Sequence, residues 1–510
     1  MMKPSPTLSS ALVLLLAGAG AGAGAVVVTA GCAPAPSPLR ASAPVRIAPA
    51  SPGSTGSPSA PAGSGTGAGW SYEVVASPRG ETLAVDAVFP AGTGGQFTVE
   101  DGAEPFVKDV VLHDGERTTS IAVSGGERWA IPKCATGCRV SYRFALAAAA
   151  RASRERSVAQ MHGDAVEAPP SSWLLRPLDA ANGIPFRFHV TSAPGDSFAT
   201  GVFPVPGLED TYEGHTVEGF DLPYAAFGRI RRLQLANGHV EAAMLPGTFD
   251  DEPAVIAWIE RSAKAVDAFY GGFPIRRVLV LVQPQSGRRV GFGTTMGSSG
   301  AAIEVPVGEG VTPAQLHDDW MLVHEMVHTA LPDLTRKHHW LEEGLATYLE
   351  PLARVQAGIT APPQVWKEWI LGMPQGEPAA GDEGLDRTHT WGRTYWGGAL
   401  FCLEVDVAIR ERTGGRKSLV DVVRAIVAQG GNISVSWPIE RVIEVGDTVT
   451  GVPVLRETYA RMAAKPGAVD LPAIWAKLGV RLERGTVTYD DKAPLATIRR
   501  SMTEARASVR

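Results

Sequence analysis

The sequence predicts an α+β fold in three successive parts: an N-terminal β-sandwich, a mixed region of helices and strands, and a helical C-terminal region. Three observations predict it. Between residues 70 and 249, short runs of β-branched and aromatic residues alternate with clusters of Gly, Pro and Asp, as paired strands do. From Asp250 apolar residues recur three and four apart, a helical period, before a β-branched run returns. Beyond residue 361 the pattern is helices separated by glycine and proline stops. A chain of 510 residues, 45% hydrophobic and 20% charged, has the length and composition for two or three packed domains. Its net charge of −6, with no clustered Lys/Arg face, excludes nucleic acid as a partner.

Taken in order, the chain opens on Lys3 and then an uncharged run, LSSALVLLLAGAGAGAGAVVVTAGC. This stretch resembles a bacterial lipoprotein signal, with TAGC as its lipobox. The resemblance implies that residues 1–32 form the signal peptide, that Cys32 is lipidated, and that the protein is an exported cell-surface or periplasmic lipoprotein anchored to a bacterial membrane. An uncleaved anchor is the other reading, and both export the protein. Residues 33–69 are almost entirely Ala, Pro, Ser and Gly, with too little to bury for a fold, and read as a disordered tether.

The sandwich, residues 70–249, is read from the runs YEVVA, TLAVDAVF, VKDVVLH, TSIAV, RVSYRFAL and PFRFHV. A polar loop, RASRERSVAQMHGDAVEAPPSS, joins the last two. Cys134 and Cys138 enclose only Ala-Thr-Gly, and in an exported protein such a pair reads as a local disulfide. Cys402, in an apolar helical run, reads as a buried free thiol.

The middle region, residues 250–360, begins with the amphipathic helix DDEPAVIAWIERSAKAVDAFYGGF, then the buried strand RRVLVLVQP, a glycine-rich turn and the strand AAIEVPV. The next helix is the informative one. Thr312 is placed to cap it, Pro313 suits its first turn, and Leu316, Trp320, Val323, Val327 and Leu331 continue one apolar stripe to Pro332. Within it HEMVH puts His324 and His328 four apart, on one helix face, where both imidazoles can hold one metal ion, with Glu325 beside them as a candidate base. A zinc site needs a third protein ligand and an open position for water. The second helical pattern, WLEEGLATYLEPL, offers Glu342 and Glu343; His338 and His339 lack the spacing of the three-histidine class.

HEMVH followed by WLEEGLATY resembles the gluzincin metallopeptidases, the thermolysin-like clan that includes aminopeptidase N and the glycyl aminopeptidases. The resemblance implies a thermolysin-like catalytic domain and makes Glu343, the Glu before the Gly, the third ligand of one zinc per chain. An edge strand ahead of the zinc helix pairs with substrate in that clan. Residues 300–305 take this place, and Glu304 becomes a candidate for binding a substrate α-amine. Tyr395, followed by a glycine-containing turn and LEVDVAIRERTGGRKSLVDVV, resembles the catalytic tyrosine region of the glycyl aminopeptidases, although Trp396 and Gly397 replace that family's acidic and lysine residues. Residues 361–510 then form the helical region completing the active site. The function this implies is zinc-dependent, aminopeptidase-like hydrolysis of a peptide or protein substrate, with Glu325 as general base and Tyr395 as oxyanion donor. A surface-tethered lipoprotein that has lost activity and binds peptides or envelope components on the same fold is the alternative.

Overall fold

Alternation of side chains builds the first sheet. In Trp70–Ala76 and Leu83–Phe89 every second residue is buried, the two-residue period of a strand with one face in water. These strands pair with each other, with Cys138–Phe144 and with Pro185–Thr191 in a seven-stranded sheet. Two four-stranded sheets add Phe97, Trp129, Phe198 and Phe227 to the same core, around Trp173. A disulfide joins Cys134 and Cys138 in the loop before Cys138–Phe144. The structure is a computed structural model that describes residues 69–504 apart from 125–127, 154 and 217–219, and the described residues belong to one compact unit. Cys32, the signal peptide and all but the last residue of the tether lie outside the described residues.

Two features here differ from the sequence reading. The run expected as one long strand to Leu146 turns helical at Leu146–Ala152, where five alanines favour helix strongly. The expected polar loop contains the strands Gln160–His162 and Ala165–Glu167, each too short to display a period.

A second core lies around a five-stranded sheet, in spatial order Arg231–Leu235, Val240–Met244, Val278–Gln285, Ala302–Gly308 and Thr294–Met296. The first two strands fall within the 70–249 range, yet Val240–Met244 pairs in parallel with Val278–Gln285, so they belong to this sheet. The edge also differs from expectation. Ala302–Gly308 is an inner strand, paired on one side with Val278–Gln285 and on the other with Thr294–Met296, which forms the edge.

Helix Glu252–Tyr270 starts where Asp251 accepts a hydrogen bond from the Ala254 amide at 3.1 Å, and stops at Gly271 in the left-handed conformation, φ 76°. The helix expected to run unbroken from Thr312 to Leu331 is two. Thr312 and Gln315 form a capping box on Pro313–Asp318, the chain turns at Asp319, and Met321–His328 begins afresh with the Met321 amide donating to the Asp319 carboxylate. The break takes Trp320 out of the apolar stripe and leaves it exposed. Leu322, Val323, Met326 and Val327 still bury their side chains against the sheet. The chain returns as His339–Gln356, and a buried Asp406 binds this helix to Gly398–Thr413 by accepting from Tyr348 at 2.9 Å and from Arg410 at 3.0 Å.

Candidate metal centre

The spacing of four in Met321–His328 sets the two imidazole rings 5.1 Å apart on the face opposite its buried stripe. The return helix His339–Gln356 brings Glu343 to them. Its Oε2 lies 3.5 Å from His324 Nε2 and 3.6 Å from His328 Nε2, and one ligand atom from each of the three residues lies within 4.8 Å of the others. Glu342 turns the other way, accepting from the Leu334 amide at 2.8 Å and pairing with His339 Nδ1 at 3.0 Å. His339 Nε2 reaches the remaining oxygen of Glu343, Oε1, at 3.4 Å. His338 is directed away, to Asp386 at 3.0 Å.

The electrostatics suit a cation. Burial alone would raise the Glu343 carboxyl, yet His328 and His324 hold it well below the usual carboxylate range. Burial works against charge on His328 as well, but Glu343 beside it pushes that imidazole up to about 9. Two imidazole nitrogens and a carboxylate oxygen, inward-facing and this close, fit zinc, which binds such ligands tetrahedrally and leaves a fourth position when three come from protein. Binding would displace the protons that now satisfy the carboxylate.

Glu325 is buried beside this cluster, and the edge strand holds it. The Thr295 hydroxyl donates to its Oε2 at 2.6 Å, and a Cβ added at Gly293 would lie 2.6 Å from its Cγ, so only glycine leaves room for this carboxylate. Neither Gly293 nor Thr295 stood out in the sequence, because a glycine-rich turn has no period to read.

Tyr395 lies in Arg393–Gly397, a π-helical turn leading into Gly398–Thr413, half-buried with its ring stacked on Trp391 at 5.7 Å. π-turns inside helices recur at functional sites. A glycine pair brings this segment to the ligand helix: a Cβ at Gly344 would meet the Gly398 Cα at 2.3 Å, so backbone lies on backbone one residue after Glu343 and three after Tyr395.

Glu304 loses the position on which its assignment rested, since its strand is not the edge. Ile303 and Val305 face the core of the HExxH helix, whereas Ala302 packs with Ala165 and Tyr224, and Glu304 shares the latter face. Its carboxylate is 1% exposed and lies 3.4 Å from Arg156 Nη1. Burial, then Glu167, raises it to about 7 against the pull of Arg156. Glu167, unnoticed within the expected loop, accepts from Gln283 at 2.9 Å and pairs with His162 at 3.1 Å. Burial raises the pKa of the neighbouring Tyr224, and the charges of Glu304, Glu167 and Glu325 add to the rise against the pull of Arg156.

No known protein-family profile matches the chain, and no curated protein matches it. Solved structures do. An aminopeptidase N family protein from Idiomarina loihiensis is similar at a TM-score of 0.60 and 13% identity over 83% of this chain and 82% of that one. A mutant M1 zinc metallopeptidase from Deinococcus radiodurans, bound to a Tyr-Ser-Ala substrate, is similar at a TM-score of 0.49 and 12% identity, over 78% of this chain and 94% of that one. The likeness at 0.60 shows that the chain has the aminopeptidase N fold, a mixed α+β architecture.

Proposed function

We propose that the chain is a zinc-dependent peptidase, with zinc held by His324, His328 and Glu343. The observation that carries this reading is the convergence of those three ligand atoms beside a buried glutamate seated by Thr295. When bound, zinc supplies a Lewis acid that acidifies a water and polarises a peptide carbonyl. Glu325 would take a proton from the attacking water as the water oxygen adds to the carbonyl carbon, and would return that proton to the amine as the C–N bond breaks. Thr295 fixes which carboxylate oxygen of Glu325 remains free for this work. The Tyr395 hydroxyl donates to the oxyanion that forms at the carbonyl oxygen. A seated base and a full ligand set give the binding-only alternative no support.

The finer reading, cleavage from the amino end, draws its support from Glu304 and Glu167. The buried Glu304 carboxylate, with Arg156 as its present cation and Glu167 nearby, suits a substrate ammonium, which would take the guanidinium's place. Peptides with free and acetylated amino ends separate the cases; equal cleavage of both removes the amine site. We also propose that Cys32 carries a lipid and anchors the protein to a bacterial membrane, with peptide or protein as the soluble partner. For the zinc reading the test is metal content. One zinc per chain is expected, falling to a small fraction in His324→Ala and Glu343→Ala, and full stoichiometry in either variant removes that residue from the ligand set.

A further inference from the structure

The sequence holds 12 Trp and 15 Phe, all among the described residues. Their side chains fill the two main cores or lie partly buried, with three exceptions: Phe292 is 59% exposed, Trp320 42% and Trp391 43%. Isolated apolar side chains on a surface are ordinary. Two of these three touch working parts of the candidate site, and the third, Phe292, is next in sequence to a glycine packed on Glu325. Trp320 sets its ring against the His324 imidazole, 5.4 Å between centroids and close to perpendicular. Trp391 stacks on Tyr395 at 5.7 Å with 28° between planes. Phe292 immediately precedes Gly293, whose α-carbon backs onto Glu325.

Local structure explains why they point outward. The chain break at Asp319 ends one helix and starts the next, which removes Trp320 from the stripe its spacing would otherwise join. Trp391 lies just before the π-turn Arg393–Gly397, and Phe292 just before the edge strand Thr294–Met296, where no further strand covers it. A ligand and an oxyanion donor thus each have an exposed aromatic face beside them, and Phe292 is next in sequence to the glycine packed on the base. Water held against such faces is released when an apolar side chain covers them.

We infer that Phe292, Trp320 and Trp391 select the substrate: the site takes peptides with large apolar side chains, aromatic or branched aliphatic, at the residues flanking the bond that is cut. The inference rests on the peptidase reading above. An apolar side chain laid on these rings orients the scissile carbonyl, whereas a charged one would lose its hydration there with no opposite charge supplied by the rings.

The test is a library of peptides varied at the two residues flanking the cut bond, read as kcat/KM with the zinc-loaded full chain. Peptides carrying Phe or Leu there should exceed their Ala counterparts by roughly 10- to 100-fold, the range set by burying a few methylenes. Asp and Lys should fall below Ala. Trp320→Ala, Trp391→Ala and Phe292→Ala should each shrink the Phe-to-Ala ratio about threefold or more, and Trp320→Phe and Trp391→Phe should restore most of it. A ratio of two substrates cancels any general loss caused by a neighbouring catalytic group. A second readout avoids turnover: the Glu325→Gln protein, titrated with Phe-flanked and Ala-flanked peptides, should bind the former more tightly, with a tryptophan fluorescence change lost in Trp320→Ala. Cleavage of Ala- or Asp-flanked peptides as fast as Phe-flanked ones overturns the inference while leaving a peptidase in place. A zinc-loaded wild type that cuts no peptide overturns the peptidase reading, and this inference falls with it.

Discussion

Replacing Gly344 by Ala adds one methyl group where the structure has no space for it. The new Cβ would lie 2.2 Å from the Gly398 carbonyl carbon and 2.3 Å from its Cα. Ordinary carbon contacts begin near 3.4 Å, so the ligand helix and the Tyr395 segment must part by about 1 Å. Neither partner is a side chain with another rotamer to adopt; both are helix backbone, and Gly398 is held in turn by the Trp340 carbonyl 2.0 Å from its own Cβ position. Overpacking of this kind costs about 1–3 kcal/mol of stability. The larger effect falls on function, because Glu343 moves away from two imidazoles and Tyr395 away from Glu343 together. A displacement near 1 Å in a catalytic constellation costs roughly 100-fold, and a disturbed ligand costs zinc affinity on the order of 10-fold or more. Gly344→Ala should therefore melt at a lower temperature, lose zinc to a competing chelator sooner, and hydrolyse peptide about 100-fold more slowly. A variant that matches wild type in chelator competition and turnover would refute the claim that this glycine pair sets the distance between ligand and oxyanion donor.

Three further outcomes are expected. Tyr395→Phe should lower turnover by roughly 10- to 1,000-fold with zinc content unchanged, since one oxyanion donor is lost while the metal still polarises the carbonyl; unchanged turnover removes Tyr395 from the mechanism. Glu304→Gln should stabilise the protein at high pH: the folded carboxyl sits at about 7, above its ordinary value of 4.5, so the fold binds the extra proton and wild-type stability declines as pH rises between those values. Urea unfolding at pH 8 should favour the Gln variant by up to about 3 kcal/mol, with little difference near pH 4, and the reverse order would contradict the burial argument. Cys32→Ser should move the protein from the membrane to the soluble fraction; retention with an uncleaved N-terminus would make the segment a spanning anchor.

What the sequence made legible was local. A spacing of four identified His324 and His328, Asp251 and Gly271 bounded their helix, and alternation marked the strands of the first sheet. Long-range pairing was hidden. Residues 231–244 fall within the range read as sandwich, and only the parallel ladder to Val278–Gln285 assigns their strands to the second sheet. Glu304 was given an edge because Thr294–Met296, the real edge, is three residues long and hidden in glycines. Trp320 keeps the apolar spacing, so the break at Asp319 was invisible until the Asp319 cap was seen. The choice of Glu343 over Glu342 needed a family resemblance in the sequence; in the structure it follows from the Leu334 amide and His339, which hold Glu342 aside.

The central claim is that Glu325 is the base for a zinc-assisted attack on peptide bonds. Zinc-loaded wild type and Glu325→Gln should be compared on mixed peptides with metal content measured in the same samples. Gln keeps the shape and the hydrogen bond from Thr295 but cannot take a proton at neutral pH, so equal zinc, an unchanged fold and hydrolysis at least ~100-fold slower are predicted. A Glu325→Gln protein that cuts as fast as wild type, or a zinc-bound wild type that cuts nothing, contradicts the account.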